Sequence, residues 1–406
     1  MLNRLTIHGF KSLVDTSVTL PRLAVLFGPP ASGTSHLLDA IQALSRIGTL
    51  RTLSEALGEP MRCYPIETFS LPAGGMPELL SVPQARFSLE ADLTTGPNTY
   101  RYRIAVAIEP GSGRLSVADE YLVPIHATGT PGGYAVIEPR GQKLRIRHTN
   151  KSAQPRQEPL GLDHAIVSDP RFGGAGYRAV EQTRQELARW RTYMLDPRMA
   201  MRTTQSPSDV QDIGVLGETL VSFLYKLHTE YPKHFQTVVR TLRSLIPSVE
   251  DLTVDLDERR GTLDIRVRQS GVDYSSRIVS EDILRVLALC AIAVNPWSGS
   301  LLAFEEPERG VHSRQFDLMA KLLVSLASEH NHQVVVTTHS PQWCDAMLHM
   351  AQSQSTAIGL FRVQRVRGAT VVKPFDVTGL SFTDGERTTG IVEGLVLRGL
   401  LDDCCS

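Results

Sequence analysis

The sequence has no excess of charge of either sign, since 42 Lys and Arg residues stand against 43 Asp and Glu residues. The formal net charge of −1 excludes a protein that is basic overall, although it permits a local basic patch. No uncharged apolar run reaches the length of about 18 residues that a transmembrane helix needs. The amino terminus also lacks the apolar core of a signal peptide, so we expect a cytoplasmic protein without a membrane partner.

Cysteine is scarce, and the cysteines neither form a CxxC pair nor add up to an even number. A disulfide framework or a zinc site is therefore not expected, and we predict buried apolar residues or tail residues. The five positions are Cys63, Cys290, Cys344, Cys404 and Cys405. With 42% apolar and 21% charged residues, the composition is globular and excludes a disordered, collagen-like or coiled-coil chain. The 406 residues indicate one large domain with an insertion or two modest domains.

The first 44 residues predict a strand hairpin followed by a strand, a glycine-rich turn and a helix. Apolar residues alternate from Leu5 to Leu20, which predicts two short strands. The apolar run 23–27 predicts a buried strand, and Gly28 to Gly33 follow it directly. Leu37, Leu38, Ile41 and Leu44 then have helical spacing. This order of elements is the context that a phosphate-binding loop requires.

The rest of the chain predicts an α/β protein. Residues 87–123 alternate with period two and predict an antiparallel meander. The last third alternates helices and strands, which predicts a mainly parallel sheet joined to strand 23–27. Helices are predicted at 179–191, 217–245 with a break near Pro232, 281–293, 314–328 and after Pro341, and further strands at 252–256, 263–267, 301–304 and 333–337.

Residues 28–35, Gly-Pro-Pro-Ala-Ser-Gly-Thr-Ser, fit the phosphate-loop pattern G-x-x-x-x-G-K-[ST] except that Thr34 replaces the lysine. Glycine matters there because backbone N–H groups must approach phosphate oxygens closely at a helix N-terminus. Taken alone, the incomplete match is equally compatible with an ordinary Gly/Pro turn between a strand and a helix.

Two carboxylates follow the apolar strand 301–304, where parallel strands of an α/β sheet deliver residues to a ligand crevice. Glu305 could hold Mg²⁺ through water, and Glu306 could polarise an attacking water. The alternative is a solvated acidic strand end. His339 follows the next predicted strand and could contact a γ-phosphate, although a lone histidine is more often structural.

Five segments together resemble the ABC-type ATPase heads of the SMC and RecF class. The resemblance includes stand-alone bacterial AAA-type ATPases and the ATPase half of OLD-family nucleases. The segments are the opening strand at 7–13, the phosphate loop and helix at 28–40, the signature segment at 280–285, Walker B with the D-loop at 305–312, and the switch-histidine segment at 337–341.

The resemblance implies a P-loop NTPase with a mainly parallel sheet, an antiparallel β subdomain, ATP and Mg²⁺ as ligands, and a homodimer with composite nucleotide sites. It places the head at 1–125 and 249–406 and a mostly helical insertion at 126–248. It implies nucleotide binding by Gly28, Ser32, Gly33, Thr34, Ser35, His36 and Ser280, magnesium binding by Ser35 and Glu305, general-base action by Glu306, and γ-phosphate contact by His339. Gln84 is a candidate for the family's Q-loop glutamine.

Two departures from the family pattern alter charge at the predicted site. Thr34 removes a cation, and Asp282 replaces the signature glycine with a carboxylate. At an effective dielectric near 20, one unit-charge contact at about 4 Å is worth roughly 4 kcal/mol, so hydrolysis should suffer severely. The resemblance and the departures favour a nucleotide-dependent dimerisation switch with weak or absent hydrolysis. The alternatives are a competent ATPase in DNA repair or anti-phage defence and a nucleotide-free scaffold.

Residues 140–202 carry 13 Lys and Arg against 6 Asp and Glu, a local net charge of +7. Such a segment could contact nucleic-acid phosphates, although charge runs are more often simply exposed. Stand-alone heads of the class commonly act with an effector in defence or DNA maintenance. About 65 residues follow His339, too few for a Toprim nuclease domain, so a nuclease partner is expected to be a separate chain.

Overall fold

A computed structural model describes residues 1–150, 152–354, 356–375 and 390–397. The described chain is a mixed α/β protein, as predicted, and it divides into two compact units. The first unit comprises residues 1–21, 28–190 and 359–375. The second comprises residues 22–27, 191–358 and the described part of 376–406. The boundaries predicted for the insertion, at 126 and 248, stay a prediction.

An antiparallel sheet of eight strands forms most of the first unit. Its strands stand in the order β2-β1-β4-β5-β6-β7-β8-β9. The bounds are β1 (Leu2–Phe10), β2 (Leu13–Thr19), β4 (Ala85–Thr95), β5 (Asn98–Glu109), β6 (Arg114–Pro124), β7 (Ile137–Arg140), β8 (Lys143–Ile146) and β9 (Arg156–Pro159). The predicted hairpin and meander are confirmed. The strands β7 to β9 fall within the predicted helical insertion and were missed because each has only four residues.

The remaining elements of the first unit cover this sheet and carry the glycine-rich loop. They are α1 (Thr34–Ile47), α2 (Leu53–Leu57), α3 (Gly75–Ser81), α4 (Arg178–Leu187), and the hairpin β16 (Ile358–Val366) and β17 (Ala369–Phe375). Helix α1 buries the apolar positions that the spacing predicted, Leu37, Leu38, Ile41 and Leu44. Strand β17 packs beside β2, where the backbone of Thr370 donates to the Ser12 carbonyl at 2.7 Å.

A buried parallel sheet forms the core of the second unit. Its strands β3 (Leu23–Phe27), β15 (Gln333–Thr338) and β14 (Leu301–Glu305) lie side by side, and β10 (Trp190–Tyr193) flanks β14. A parallel sheet covered on both faces is built from continuous apolar strands, and β3 and β15 are buried throughout. The sequence analysis predicted that strand 23–27 joins a parallel sheet with strands from the last third of the chain, and this is confirmed.

Helices and a small second sheet surround that parallel core. The helices are α5 (Leu220–Glu230), α6 (Pro232–Leu245), α7 (Glu281–Ala293), α8 (Phe316–Ser328), α9 (Pro341–Ser353) and α10 (Ile391–Leu397). The three-stranded sheet contains β11 (Asp251–Asp257), β12 (Thr262–Gln269) and β13 (Val272–Ser275). The predicted break lies at Tyr231, between α5 and α6. Across the described ranges, no helix is both long and apolar enough to cross a bilayer.

Two of the cysteines behave as the composition predicted. Cys290 in α7 and Cys344 in α9 are fully buried, and burial raises the pKa of both thiols above the ordinary range. They therefore act as small apolar core residues. Cys63 is half-buried, and Cys404 and Cys405 lie outside the described residues.

A buried carboxyl group holds the loop that follows the eight-stranded sheet. Glu120 in β6 is fully buried and accepts hydrogen bonds from the Tyr102 hydroxyl at 3.1 Å and from the backbone N–H groups of Ile166 and Val167 at 2.6 and 3.0 Å. Burial raises the pKa of Glu120 to about 7, while those three hydrogen bonds and the charge of His164 oppose the shift.

We expect Glu120→Gln to remove a pH-dependent part of the stability. Since the folded-state pKa is raised from 4.5 to about 7, Glu120 stabilises the fold most below the unfolded-state value and loses that contribution as pH rises through 7. The loss is about 3 kcal/mol, at 1.36 kcal/mol for each pKa unit. Urea unfolding of both proteins from about pH 4 to pH 8 measures it. Parallel pH curves for the two proteins would contradict this assignment.

Candidate functional site

The carboxyl ends of the three parallel strands lie at one edge of the second unit's core sheet. In the strand register, Glu305 of β14 stands opposite Thr337, and Thr338 of β15 stands opposite Phe27 of β3. Gly28, the first residue of the glycine-rich loop, follows Phe27 directly in the sequence. Strand ends of this kind are where open α/β sheets bind ligands.

Glu306 and His339 lie together at this edge. Glu306 adopts a positive φ of 41°, a conformation that non-glycine residues rarely take and that clusters at functional sites. Its backbone N–H donates to the Thr337 carbonyl at 3.0 Å, which fixes the turn. The Glu306 Oε1 atom is 3.4 Å from His339 Nε2, and both side chains are about one-quarter exposed. The predicted base and the predicted γ-phosphate contact are thus neighbours that solvent can reach.

A third carboxyl group, Glu308, was missed by sequence reasoning. It is 6% exposed, and its Oε1 atom accepts a hydrogen bond from the Thr338 hydroxyl. Burial raises the pKa of Glu308 to about 7 against the opposing hydrogen bond and the nearby Arg285 charge. Arg285 in α7 is also buried, and burial lowers its pKa. Glu308 therefore ties the turn after β14 to the end of β15, directly before His339.

The predicted signature segment forms the start of α7. Ser280 occupies the N-cap position, but its side chain makes no capping hydrogen bond. Glu281 pairs with Arg198 at 2.7 Å, and Asp282 lies half-buried in the first helical turn. Acidic residues in a first turn complement the helix dipole, so the fold accommodates Asp282 readily.

Arg202 holds the chain that leads into the signature segment. Its guanidinium donates to four backbone carbonyls, those of Pro197 at 3.0 Å, Ser276 at 3.4 Å, Arg277 at 2.5 Å and Val279 at 2.7 Å. Planar arginine suits such convergent acceptors because its five N–H donors have a fixed geometry. Nothing in the sequence indicated this role, since residue 202 is more than 70 positions from three of its four acceptors.

The glycine-rich loop of the first unit has the tight packing that its glycines predict. Gly33 has a φ of 97°, and an added Cβ there would lie 2.0 Å from Thr370 Oγ1. An added Cβ at Gly28 would lie 2.1 Å from the Val363 carbonyl oxygen. Helix α1 begins immediately after Gly33, so its N-terminal N–H groups and dipole are placed as in an anion-binding loop.

Two hydroxyl-bearing residues of this loop are buried. Ser32 is 2% exposed, and within the described part of the chain its Oγ atom has no hydrogen-bond partner. A buried orphan hydroxyl at the start of a helix is an unused donor of the kind that a phosphate oxygen satisfies. Thr34 is 3% exposed and supplies no charge where the family has lysine. Ser35 lies in the first turn of α1, and its role in magnesium binding stays a prediction.

His36 does not compensate for the missing lysine. Its Nδ1 atom lies 2.5 Å from Ser12 Oγ, and Ser12 is also 2.6 Å from the Thr370 hydroxyl. Burial and the charge of Lys11 lower the pKa of His36 to about 4. The imidazole is therefore neutral at pH 7, and it fastens the loop to β17 through hydrogen bonds.

Two cations nevertheless lie beside the start of α1. A cavity of about 590 Å³ is lined by Lys11, Ser35, Arg62 and other residues of the first unit, including Arg365. Lys11 Nζ and Arg62 Nη2 each lie 2.7 Å from a different oxygen of Asp39, which is 1% exposed. One buried carboxylate thus positions two cations, and the cluster keeps a net positive charge next to the loop.

The structure leaves the Q-loop assignment a prediction. Gln84 lies just before β4, and its amide oxygen accepts from Arg86 at 2.7 and 2.9 Å. In the described ranges, no three His, Cys, Asp or Glu side chains gather as a preformed metal site. A hydrated Mg²⁺ that takes most of its ligands from phosphate and water needs no such group.

Comparison with known proteins agrees with this fold. Residues 190–345 match the family described as "AAA domain, putative AbiEii toxin, Type IV TA system". That match contains the signature segment, Glu305, Glu306 and His339. It does not reach the glycine-rich loop. No curated protein matches the sequence.

Two solved structures resemble the chain over most of its length. An SMC head bound to the C-terminal winged-helix domain of ScpA covers 93% of this chain and 98% of its own, with 14% identity and a TM-score of 0.53. The SMC head with an extended coiled coil, bound to the C-terminal domain of ScpA derived from Pyrococcus furiosus, covers 93% and 96%, with 11% identity and a TM-score of 0.52. The chain therefore has the fold of an SMC head domain.

Proposed function

We propose that this protein is an ATP-binding switch that dimerises when Mg²⁺-ATP is bound and hydrolyses it slowly or not at all. The observation that carries the proposal is the glycine-rich loop before α1. It retains both close-packed glycines and an unsatisfied buried Ser32 hydroxyl, but it has lost its lysine. A loop that keeps the shape of a phosphate cradle and loses its cation is suited to holding a nucleotide better than to cleaving it.

The residues fit a nucleotide in the following way. The N-terminal N–H groups of α1 and the Ser32 hydroxyl would bind phosphate oxygens, and Lys11 and Arg62 would balance part of the phosphate charge. Ser35 and Glu305 stay the predicted supports of Mg²⁺, which would neutralise phosphate charge and orient the phosphates. Glu306 would accept a proton from water, and His339 would hydrogen-bond to a phosphate oxygen.

Dimerisation is proposed from the signature segment. In the family, that segment contacts the nucleotide of a second copy. Ser280 is exposed and its hydroxyl makes no capping bond, so it suits an external acceptor. Asp282, in the same turn, would oppose a phosphate group by like-charge repulsion. We therefore expect a weak, strictly nucleotide-dependent dimer.

The effector is proposed to be a separate protein, such as a nuclease that acts in defence or DNA maintenance. Both reported SMC heads are bound to a domain of another protein, ScpA. The matched family description names a toxin of a toxin–antitoxin system, which favours a defence role.

A competent ATPase is the second candidate function. Its support is the contact of 3.4 Å between Glu306 and His339, together with two cations beside the loop. These groups could sustain turnover if Lys11 or Arg62 replaced the missing lysine.

Three measurements on the purified chain separate the candidates. We expect calorimetry to detect Mg²⁺-ATP binding, light scattering to detect a dimer only with nucleotide, and phosphate release to stay well below about 1 s⁻¹. Turnover above that value would establish the competent ATPase instead. Absence of nucleotide binding would overturn the proposal in favour of a scaffold.

A further inference from the structure

The predicted basic segment is not one continuous basic surface. Most of its cations are already paired, because Arg171 contacts Asp169, Arg184 contacts Glu181, and Arg202 binds backbone carbonyls. A smaller group remains at the end of the eight-stranded sheet, on β7 and β8. This group is distinct from the glycine-rich loop and plays no part in the proposed nucleotide chemistry.

Strand alternation projects the cations of β8 from one face. Leu144 and Ile146 are buried, so Lys143 and Arg145 point to the opposite face. The register places Arg140 of β7 directly opposite Lys143 and Glu138 opposite Arg145. Like charges directly opposite each other destabilise a β-sheet, so the Arg140–Lys143 pair is unfavourable unless an anion lies across it.

One carboxylate serves three arginines on this face. Glu138 Oε1 is 3.4 Å from Arg140, 3.6 Å from Arg145 and 2.9 Å from Arg147. In the described part of the chain, Lys143 has no ion pair at all. Four cations and one carboxylate leave a net charge of +3 on this part of β7 and β8.

The contrast with the middle of the same sheet is informative. There, Glu90 lies directly opposite Arg103, and Asp92 lies directly opposite Arg101. The Arg101–Asp92 contact measures 2.7 Å and the second carboxylate oxygen is also engaged. The sheet therefore neutralises its central cations and leaves those on β7 and β8 unbalanced.

The unbalanced patch has a cavity and an aromatic neighbour. A cavity of about 450 Å³ is lined by Arg140, Lys143, Arg145, Gln154, Pro155 and Gln157. Its amide side chains add neutral hydrogen-bond donors of the kind that contact phosphate and sugar. Tyr134 is 84% exposed, and the Arg147 guanidinium lies 5.4 Å from the centre of its ring.

We propose that this β7–β8 surface, formed by Tyr134, Arg140, Lys143, Arg145 and Arg147, binds single-stranded nucleic acid. A groove of cations beside an exposed aromatic ring is the arrangement that binds unpaired strands, since the cations follow the phosphates and a base stacks on the ring. Duplex nucleic acid would use the cations but would offer no unpaired base to Tyr134. An acidic protein would need no aromatic platform.

The test is fluorescence anisotropy with a labelled oligothymidine and a duplex, each of about 20 nucleotides per strand. We expect Arg140→Glu with Lys143→Glu to weaken single-strand binding at least about tenfold and to lower the slope of log affinity against log salt by about 1.4, or 0.7 for each lost phosphate contact. Tyr134→Ala should weaken it at least about fivefold, and Tyr134→Phe should restore it.

Matched controls separate a specific surface from general charge. Lys233→Glu with Arg259→Glu reverses two exposed cations elsewhere and should leave binding unchanged. Circular dichroism checks that each variant folds. Equal weakening by both charge reversals, equal binding of duplex with no effect of Tyr134→Ala, or full competition by poly-glutamate would each overturn the proposal. Because no nucleotide is added, failure here leaves the proposed ATP switch untouched, and failure of ATP binding leaves this result intact.

Discussion

Replacing Thr34 by Lys and Asp282 by Gly in one protein is expected to raise ATP hydrolysis by about 10- to 1,000-fold. The pair restores a cation beside the phosphates and removes a carboxylate that the family pattern lacks. One such contact is worth roughly 4 kcal/mol at an effective dielectric of 20, which corresponds to about 1,000-fold in rate. Steady-state phosphate release at saturating Mg²⁺-ATP measures it.

An uncharged variant isolates the effect of the restored cation. Thr34→Met with Asp282→Gly differs from the Lys and Gly pair only at residue 34, adds no cation, and should gain less turnover. Because glycine inside a helix costs up to about 1 kcal/mol, urea unfolding should accompany the kinetics. Adding Glu306→Gln to the Lys and Gly pair should lower its hydrolysis rate by about 10²- to 10⁴-fold, which is the usual contribution of a general base. Unchanged turnover in the Lys and Gly pair would mean that the defect lies outside these charges.

Lys11→Met is expected to weaken ATP binding by about 30- to 100-fold. Lys11 lines the cavity that also contains Ser35, and a unit charge about 6 Å from a phosphate is worth roughly 2 to 3 kcal/mol at an effective dielectric of 20. Isothermal titration with Mg²⁺-ATP measures the loss.

Two comparisons make the Lys11 result interpretable. Lys11→Arg keeps the charge against Asp39 and should restore most of the affinity, whereas Lys373→Met removes an exposed lysine of the same unit and should change nothing. Because Asp39 is buried, Lys11→Met also costs stability, and thermal unfolding should accompany the titration. Wild-type affinity in a folded Lys11→Met protein would exclude Lys11 as the replacement cation.

The sequence predicted the elements that depend on local pattern. Five consecutive apolar residues in β3 and the apolar runs of β14 and β15 indicated buried parallel strands, and their carboxyl ends do share an edge. The glycine-rich pattern predicted that the backbone is closely packed at Gly28 and Gly33, and no side chain fits at either position. These features follow from spacing within about ten residues.

Contacts between distant residues could not be predicted in the same way. Lys11 and Arg62 meet at Asp39 across separations of 28 and 23 residues, and only the folded sheet brings them together. Glu308 was overlooked because an acidic residue after a strand is usually solvated, whereas this one is buried against Thr338. The sequence gives the net charge of residues 140–202, but it does not show which of those cations form ion pairs in the folded protein.

The four carbonyl contacts of Arg202 limit how far this protein can be simplified. Arg202 lies within the predicted insertion at 126–248, yet it anchors the chain just before Ser280. A shortened variant engineered to keep only the predicted head would lose that anchor along with the insertion. Substitution of Arg202 is also constrained, because lysine has neither the planar geometry nor enough donors to bind the same four carbonyl groups.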